Sequence, residues 1–233
     1  VGLEKFVSGL PLASQLHSSA RRRLRASTRL PLWLESKIQS LGAPKALNDV
    51  ADNRSQEQRN IMLLLGSPET RSWIETGTYQ GSTTRFLANR FPKVCTIEPS
   101  TELFFETKLK LRGYSNVTML RGASEKRLLE AINMSTPPLS FWLDGHYSGG
   151  ITFRGPMDCP LVSELEQIRQ NVKAKDIHVV LIDDARLFEG PLKVSDYPDG
   201  SFIRDWARTM GFPVKISCDI FCIASHEVLS RMK

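Results

Sequence analysis

Apolar residues along this chain follow two rhythms. Before about residue 70 they recur at helical spacing. "LPLWLESKIQSLG" (30–42) is an amphipathic segment closed by Gly42 as C-cap, and "SQEQRNIMLLLGS" (55–67) is a helix opened by Ser55 and stopped by Gly66. From residue 72 short apolar runs alternate with amphipathic stretches. "SWIET", "KVCTIE", "NVTMLRG", "LSFWLD" and "HVVLIDD" read as strands, and helices are predicted near 82–91, 101–112, 124–133, 160–173 and 200–210. "PVKISCD" and "IFCIAS" follow, separated only by a turn near Asp219. Strand–helix alternation implies an α/β fold with a doubly wound, mostly parallel sheet covered on both faces. Strands joined by a tight turn must be antiparallel, so a seven-stranded sheet ending in a C-terminal antiparallel hairpin is expected. The organisation predicted is an N-terminal helical appendage, residues 1–53, and an α/β domain, residues 54–233.

Composition narrows this picture. The 233 residues are 41% hydrophobic and 24% charged, an ordinary globular balance. The net charge is +6, and residues 1–30 hold a surplus of five through Lys5, Arg21, Arg22, Arg23, Arg25 and Arg29 against Glu4. "RRRLR" is either a solvated helix face or a contact for an anionic surface or partner, and the appendage is where a homo-oligomer would form. A nucleic-acid enzyme more often carries its basic residues around the catalytic face. No apolar stretch approaches the ~20 residues of a membrane span. Glu4 and Lys5 interrupt any leader-like order, so a cytoplasmic location is expected. The four cysteines make no C-x-x-C pair. They read as reduced apolar residues, with Cys218 and Cys222 sharing one face.

Chemistry gathers where strands end. "WIETGTYQGSTTRFLA" runs strand, glycine loop, helix. Gly77 and Gly81 permit tight turns and close approach of a ligand, and Ser82 opens a helix whose free N–H groups face the loop. Glu98 lies twenty-one residues after Gly77, at the end of the next strand. That is the spacing at which α/β nucleotide folds hold ribose hydroxyls. Both G-x-G-x-x-G and G-x-x-x-x-G-K-[ST] are missing. Glu75 beside the loop disfavours a pyrophosphate and suits a ligand with a cationic amino group, such as S-adenosyl-L-methionine.

With "ETGTYQGSTT", "TIEPS", "VTMLRGASEKRLL", "FWLDGHYSGG" and "LIDDAR" in view, the chain from about residue 55 resembles the class I S-adenosylmethionine-dependent methyltransferases. It is similar in particular to catechol-type and to bacterial sugar and macrolide O-methyltransferases. The resemblance implies that Gly77, Thr78, Tyr79, Gly81 and Ser82 cradle the methionine part, with Glu75 alongside. It implies that Glu98 holds the ribose, and that Gly122, Ala123, Ser124 and Glu125 form the adenine-binding turn. It leaves residues 1–50 uncovered.

Asp144, Asp183 and Asp184 end the fourth and fifth predicted strands. If those strands are neighbours, about 4.8 Å apart, the three carboxylates meet. They then need neutralising, by a divalent cation or by Arg186, unless they serve as helix caps. The resemblance favours Mg2+ on Asp144, Asp183 and Asp184, with Asp144 also serving the cofactor and the reaction. A metal would lower the pKa of an acceptor hydroxyl and orient it. His146 is the expected base. The catechol-type enzymes carry lysine one position further on, where this chain has Tyr147, so substrate hydrogen bonding by His146, or no chemical role, stays open. Tyr147 and Arg154, in a glycine-bearing loop, are the expected acceptor contacts, and residues 187–201 form a second loop at the same edge. His178 lies five residues before Asp183, at the opposite end of its strand.

The function expected is Mg-dependent O-methyl transfer to a small hydroxylated acceptor, a sugar or glycosylated natural product. Three alternatives stand beside it: a methyltransferase of RNA or DNA, a hydroxylase-like relative and a non-catalytic cofactor-binding relative.

Overall fold

The chain divides into residues Val1–Leu47 and Asn48–Lys233. The structure, a computed structural model, describes residues 49–65, 69–145, 159–194 and 197–232. The segment 30–42 lies outside them.

Helix α1 spans Asp49–Leu65. It begins six residues before Ser55, which is therefore an interior position and not the cap the sequence suggested. The alternation then runs β1 (Ser72–Thr76), α2 (Ser82–Ala88), β2 (Lys93–Glu98), α3 (Thr101–Lys110), β3 (Val117–Arg121), α4 (Ser124–Met134) and β4 (Leu139–Leu143). It continues with α5 (Leu161–Asn171), β5 (Ile177–Ile182), α6 (Gly200–Thr209), β6 (Val214–Ser217), β7 (Ile220–Ala224) and α7 (His226–Arg231). Short 3-10 turns cover Ala174–Asp176, Ala185–Leu187 and Gly190–Leu192.

The seven strands lie in the order β3-β2-β1-β4-β5-β7-β6. The first five are parallel, and β7 runs antiparallel to both β5 and β6. This is the doubly wound sheet with a terminal hairpin that the hydrophobic pattern predicts. The hairpin turns at Cys218 and Asp219, both left-handed at φ 53° and 63°. Two consecutive left-handed residues match the twist of the strands they join. The turn corrects one expectation: Cys218 sits exposed at its tip while Cys222 is buried on β7, so they do not share a face.

Both faces of the sheet carry apolar cores. On one, Ile74, Phe141, Leu143, Val180, Ile182 and Phe221 meet α4, α5 and α6. On the other, Trp73, Trp142 and Leu181 pack with Met62 and Leu63 of α1, Leu87 of α2, and Val228 and Leu229 of α7. Covered on both sides, the central strands have no solvent face and show no apolar–polar alternation. Helix α7 follows from Ser225, whose side chain accepts from Val228 N as an N-cap. All four cysteines are free, and burial pushes the thiols of Cys95, Cys159 and Cys222 up to about 12. Among the described residues no helix is long and apolar enough to cross a membrane.

Candidate active site

Strand order reverses between β1 and β4, and ligands of open α/β sheets bind beyond the carboxyl ends at such a point. Here the two strand ends touch through backbone. Gly77 adopts φ +83°, and a Cβ on it would lie 2.3 Å from the Asp144 carbonyl oxygen. Its N–H and that of Thr78 donate to Ile97 O at 3.0 and 3.2 Å, tying the loop to β2. At Gly81, φ +77°, a Cβ would lie 2.7 Å from Thr107 Cγ2. The sequence suggested that both glycines admit a ligand. In the structure their missing side chains make room for Asp144 backbone and for Thr107.

The predicted cofactor residues converge on one rim. Glu98 is 3% exposed. Its Oε2 accepts from Tyr79 N at 2.8 Å and its Oε1 from Ser100 N at 2.9 Å. Burial pushes its carboxyl above the ordinary range, and these two amides oppose the shift. Tyr79 is left-handed at φ 48°, with its ring partly exposed. Thr78 turns inward, its hydroxyl 2.6 Å from that of Thr96. Ser82 is exposed at the start of α2. Gly122 N donates to Glu98 O at 3.0 Å, which brings Ala123, Ser124 and Glu125 to the same end of the sheet.

Glu75 lies beneath this rim, fully buried on β1. Thr84 Oγ1 donates to its Oε2 at 2.5 Å. No full hydrogen bond reaches Oε1 among the described residues. Burial raises its pKa to about 7 against the pull of the Thr84 and Thr96 hydroxyls, and the charge of Glu98 adds to the rise.

Strands β4 and β5 are neighbours with Leu143 opposite Ile182, and Asp183 N donates to Leu143 O at 3.2 Å. Asp144 and Asp183 therefore leave adjacent strand ends, as expected. What neutralises them was not foreseen. Arg59 of α1 reaches over the rim, and its Nε lies 2.6 Å from Asp183 Oδ2. Burial opposes the charge on Arg59, but Asp183, Asp144 and Asp184 together hold its guanidinium above the ordinary value. Asp183 Oδ1 accepts from Asp184 N at 2.9 Å. Burial pushes the Asp183 carboxyl up, Arg59 pulls it down and Asp184 adds repulsion. Asp184, left-handed at φ 56°, accepts at Oδ1 from Arg186 Nη1 at 2.8 Å, and Arg186 also pairs with Asp219. The arginine pairing weighed from sequence is thus present.

Magnesium fits this arrangement poorly. Both oxygens of Asp183 are engaged, Asp184 holds a guanidinium, and Arg59 already brings positive charge to all three aspartates. Among the described residues no group of three or more histidine, cysteine, aspartate or glutamate side chains has the geometry to hold a metal ion.

His146, Tyr147 and Arg154 lie outside the described residues. His178 sits near the start of β5, remote in the strand from Asp183. The segment 187–201 is anchored by Phe188 and Tyr197, both buried, with ring centroids 5.3 Å apart. Besides Arg59, sequence reasoning missed Glu164 of α5. It is buried at the β4 end, where a Cβ on Gly145 would lie 3.2 Å from Glu164 Oε1. Both had a signal. Arg59 occupies the apolar face of its helix with Met62 and Leu63, and Glu164 precedes Leu165 on the face shared with Leu161 and Ile168.

No protein-family model matches the chain, and no curated protein does. Solved structures do. The S-adenosylhomocysteine-bound methyltransferase PaMTH1 of Podospora anserina matches over 94% of this chain and 99% of its own, at 12% identity and a TM-score of 0.50. An O-methyltransferase of Bacillus cereus, in complex with the same nucleoside, matches over 89% of this chain and 97% of its own, at 15% identity and a TM-score of 0.50. The chain therefore has the class I methyltransferase fold.

Proposed function

We propose that this chain is an S-adenosylmethionine-dependent O-methyltransferase acting on a hydroxyl of a small acceptor, a sugar or glycosylated natural product. The observation that carries the reading is the meeting of Gly77, Glu98 and Asp144 at the strand-order reversal. That is where an adenosyl ligand would lie. Two neighbours of the same fold hold S-adenosylhomocysteine, which supports the cofactor assignment. Glu98 would exchange its amide partners, wholly or in part, for ribose hydroxyls. Gly122 to Glu125 would border the adenine. Glu75, a buried acid short of one partner, suits the cationic methionine end.

The reaction is an in-line displacement. The acceptor oxygen forms a bond to the methyl carbon while the carbon–sulfur bond breaks, and the sulfonium becomes a neutral thioether. The hydroxyl proton leaves to a base, for which His146 is proposed, with Asp144 bordering the reacting atoms and Tyr147 and Arg154 holding the acceptor. General-base help contributes about 10²- to 10⁴-fold. The magnesium expected from the resemblance has no step in this mechanism.

Calorimetric titration with S-adenosylhomocysteine tests the cofactor, and mass spectrometry after incubation with sugars and glycosides tests the reaction. A mass gain of one methylene is expected. A gain of one oxygen would mean a hydroxylase-like enzyme, nucleoside binding with no product from any acceptor would leave a non-catalytic cofactor-binding relative, and failure to bind the nucleoside would sink the cofactor assignment. Methylation of RNA or DNA and not of glycosides would overturn the acceptor assignment.

A further inference from the structure

We infer that Arg59 takes the place of a divalent cation at the carboxylate rim, so that this site excludes metal. The inference rests on the methyltransferase reading only for its role in catalysis. The exclusion itself stands on the geometry.

Three aspartates at adjacent strand ends demand positive charge. Arg59 provides it from one point: it bonds Asp183 directly and is electrostatically coupled to Asp144 and Asp184. The guanidinium is not an incidental surface visitor. Its helix is fixed on either side of it. Three residues earlier, Gln56 Nε2 donates to Thr83 Oγ1 at 3.3 Å. Three and four residues later, Met62 and Leu63 are 1% and 0% exposed, in one core with Trp73 and Leu181. Withdrawing Arg59 to admit an ion would leave Asp183, 3% exposed, to be repaired by that ion alone, while α1 stays packed. Arg186 holds Asp184 from the other side. An arginine lowers a hydroxyl's pKa less than a directly coordinated metal does, but its planar donors can orient an acceptor oxygen and its charge favours a developing alkoxide.

Manganese is the probe, titrated into the full chain by calorimetry and by electron paramagnetic resonance. The wild type should show no specific site. Arg59→Gln should gain one, bound at least roughly tenfold tighter than any residual wild-type binding, since a fixed positive charge this close repels the ion. Arg59→Lys keeps the charge and should stay silent. Asp183→Asn added to Arg59→Gln should abolish the new site. Specific binding by the wild type, or silence of a folded Arg59→Gln variant, overturns the inference. If Arg59→Gln does not fold, wild-type binding still decides against it, and Arg59→Lys must then exclude manganese while Asp183→Asn in the wild type changes nothing. S-adenosylhomocysteine binding in the same samples separates the two readings. Its absence sinks the methyltransferase assignment and leaves the manganese result standing.

Discussion

Single residues at the rim are held in states that an isolated peptide would avoid. Glu75 is the clearest. Its carboxyl is raised from 4.5 to about 7 by burial. A raised acid binds its proton more tightly in the folded chain, so its contribution to stability falls as pH climbs from about 4.5 to about 7 and is fully lost above that. The loss is on the order of 3 kcal/mol at 1.36 kcal/mol per unit. Glu75→Gln should therefore be more stable than wild type at pH 8 and lose that advantage at pH 4.5, as read by urea unfolding at both. Equal pH slopes for the two proteins would show that Glu75 titrates normally. Gly77 is constrained by shape. At φ +83° and with a Cβ position 2.3 Å from Asp144 O, Gly77→Ala should cost roughly 2 kcal/mol or more and weaken nucleoside binding. Glu98→Ala should weaken S-adenosylhomocysteine by about tenfold or more in a calorimetric titration, because hydrogen bonds to a charged group are worth about 1.5–3 kcal/mol.

At the scale of elements, α1 links stability to the site. Met62 and Leu63 hold it to the core and Arg59 faces the rim. Met62→Ala should cost about 2–5 kcal/mol, the range for emptying a packed methionine site. Urea unfolding should show a lower midpoint with an unchanged slope. A negligible cost would mean that α1 is loosely attached. The helix was predicted, but its start was missed by six residues. Ser55 looks like a cap in sequence, yet nothing local forbids continuing the helix backwards through "DVADNR". The β6–β7 hairpin was legible because only a short turn separates its strands. Its left-handed residues were not, since Cys218 and Asp219 lack the glycine that usually announces them. Helix α7 went unpredicted because it is only six residues long, too short to show a helical period.

For the whole molecule, the sheet brings together ends that are up to about a hundred residues apart in the chain, and cofactor binding should register as global stability. At 100 times its dissociation constant a ligand that binds only the folded state adds about 2.7 kcal/mol. For a domain of this size that raises Tm by roughly 5–10 °C. S-adenosylhomocysteine should produce such a shift and adenosine alone a smaller one. No shift at saturating concentration would count against the proposed cofactor site.

The sequence by itself determined the periodicities, and with them the strand–helix alternation, the terminal hairpin and the strand ends that carry Glu75, Gly77, Glu98, Asp144, Asp183 and Asp184. These are local properties: a strand's burial and a turn's chemistry are written in consecutive residues. Only the tertiary structure decided what surrounds those ends. That Gly77 yields its space to Asp144 backbone, and that Arg59 from a preceding helix bonds Asp183, follow from packing across the sheet. A charge's partner is set by three-dimensional distance, and residues separated by 124 positions carry no local trace of meeting.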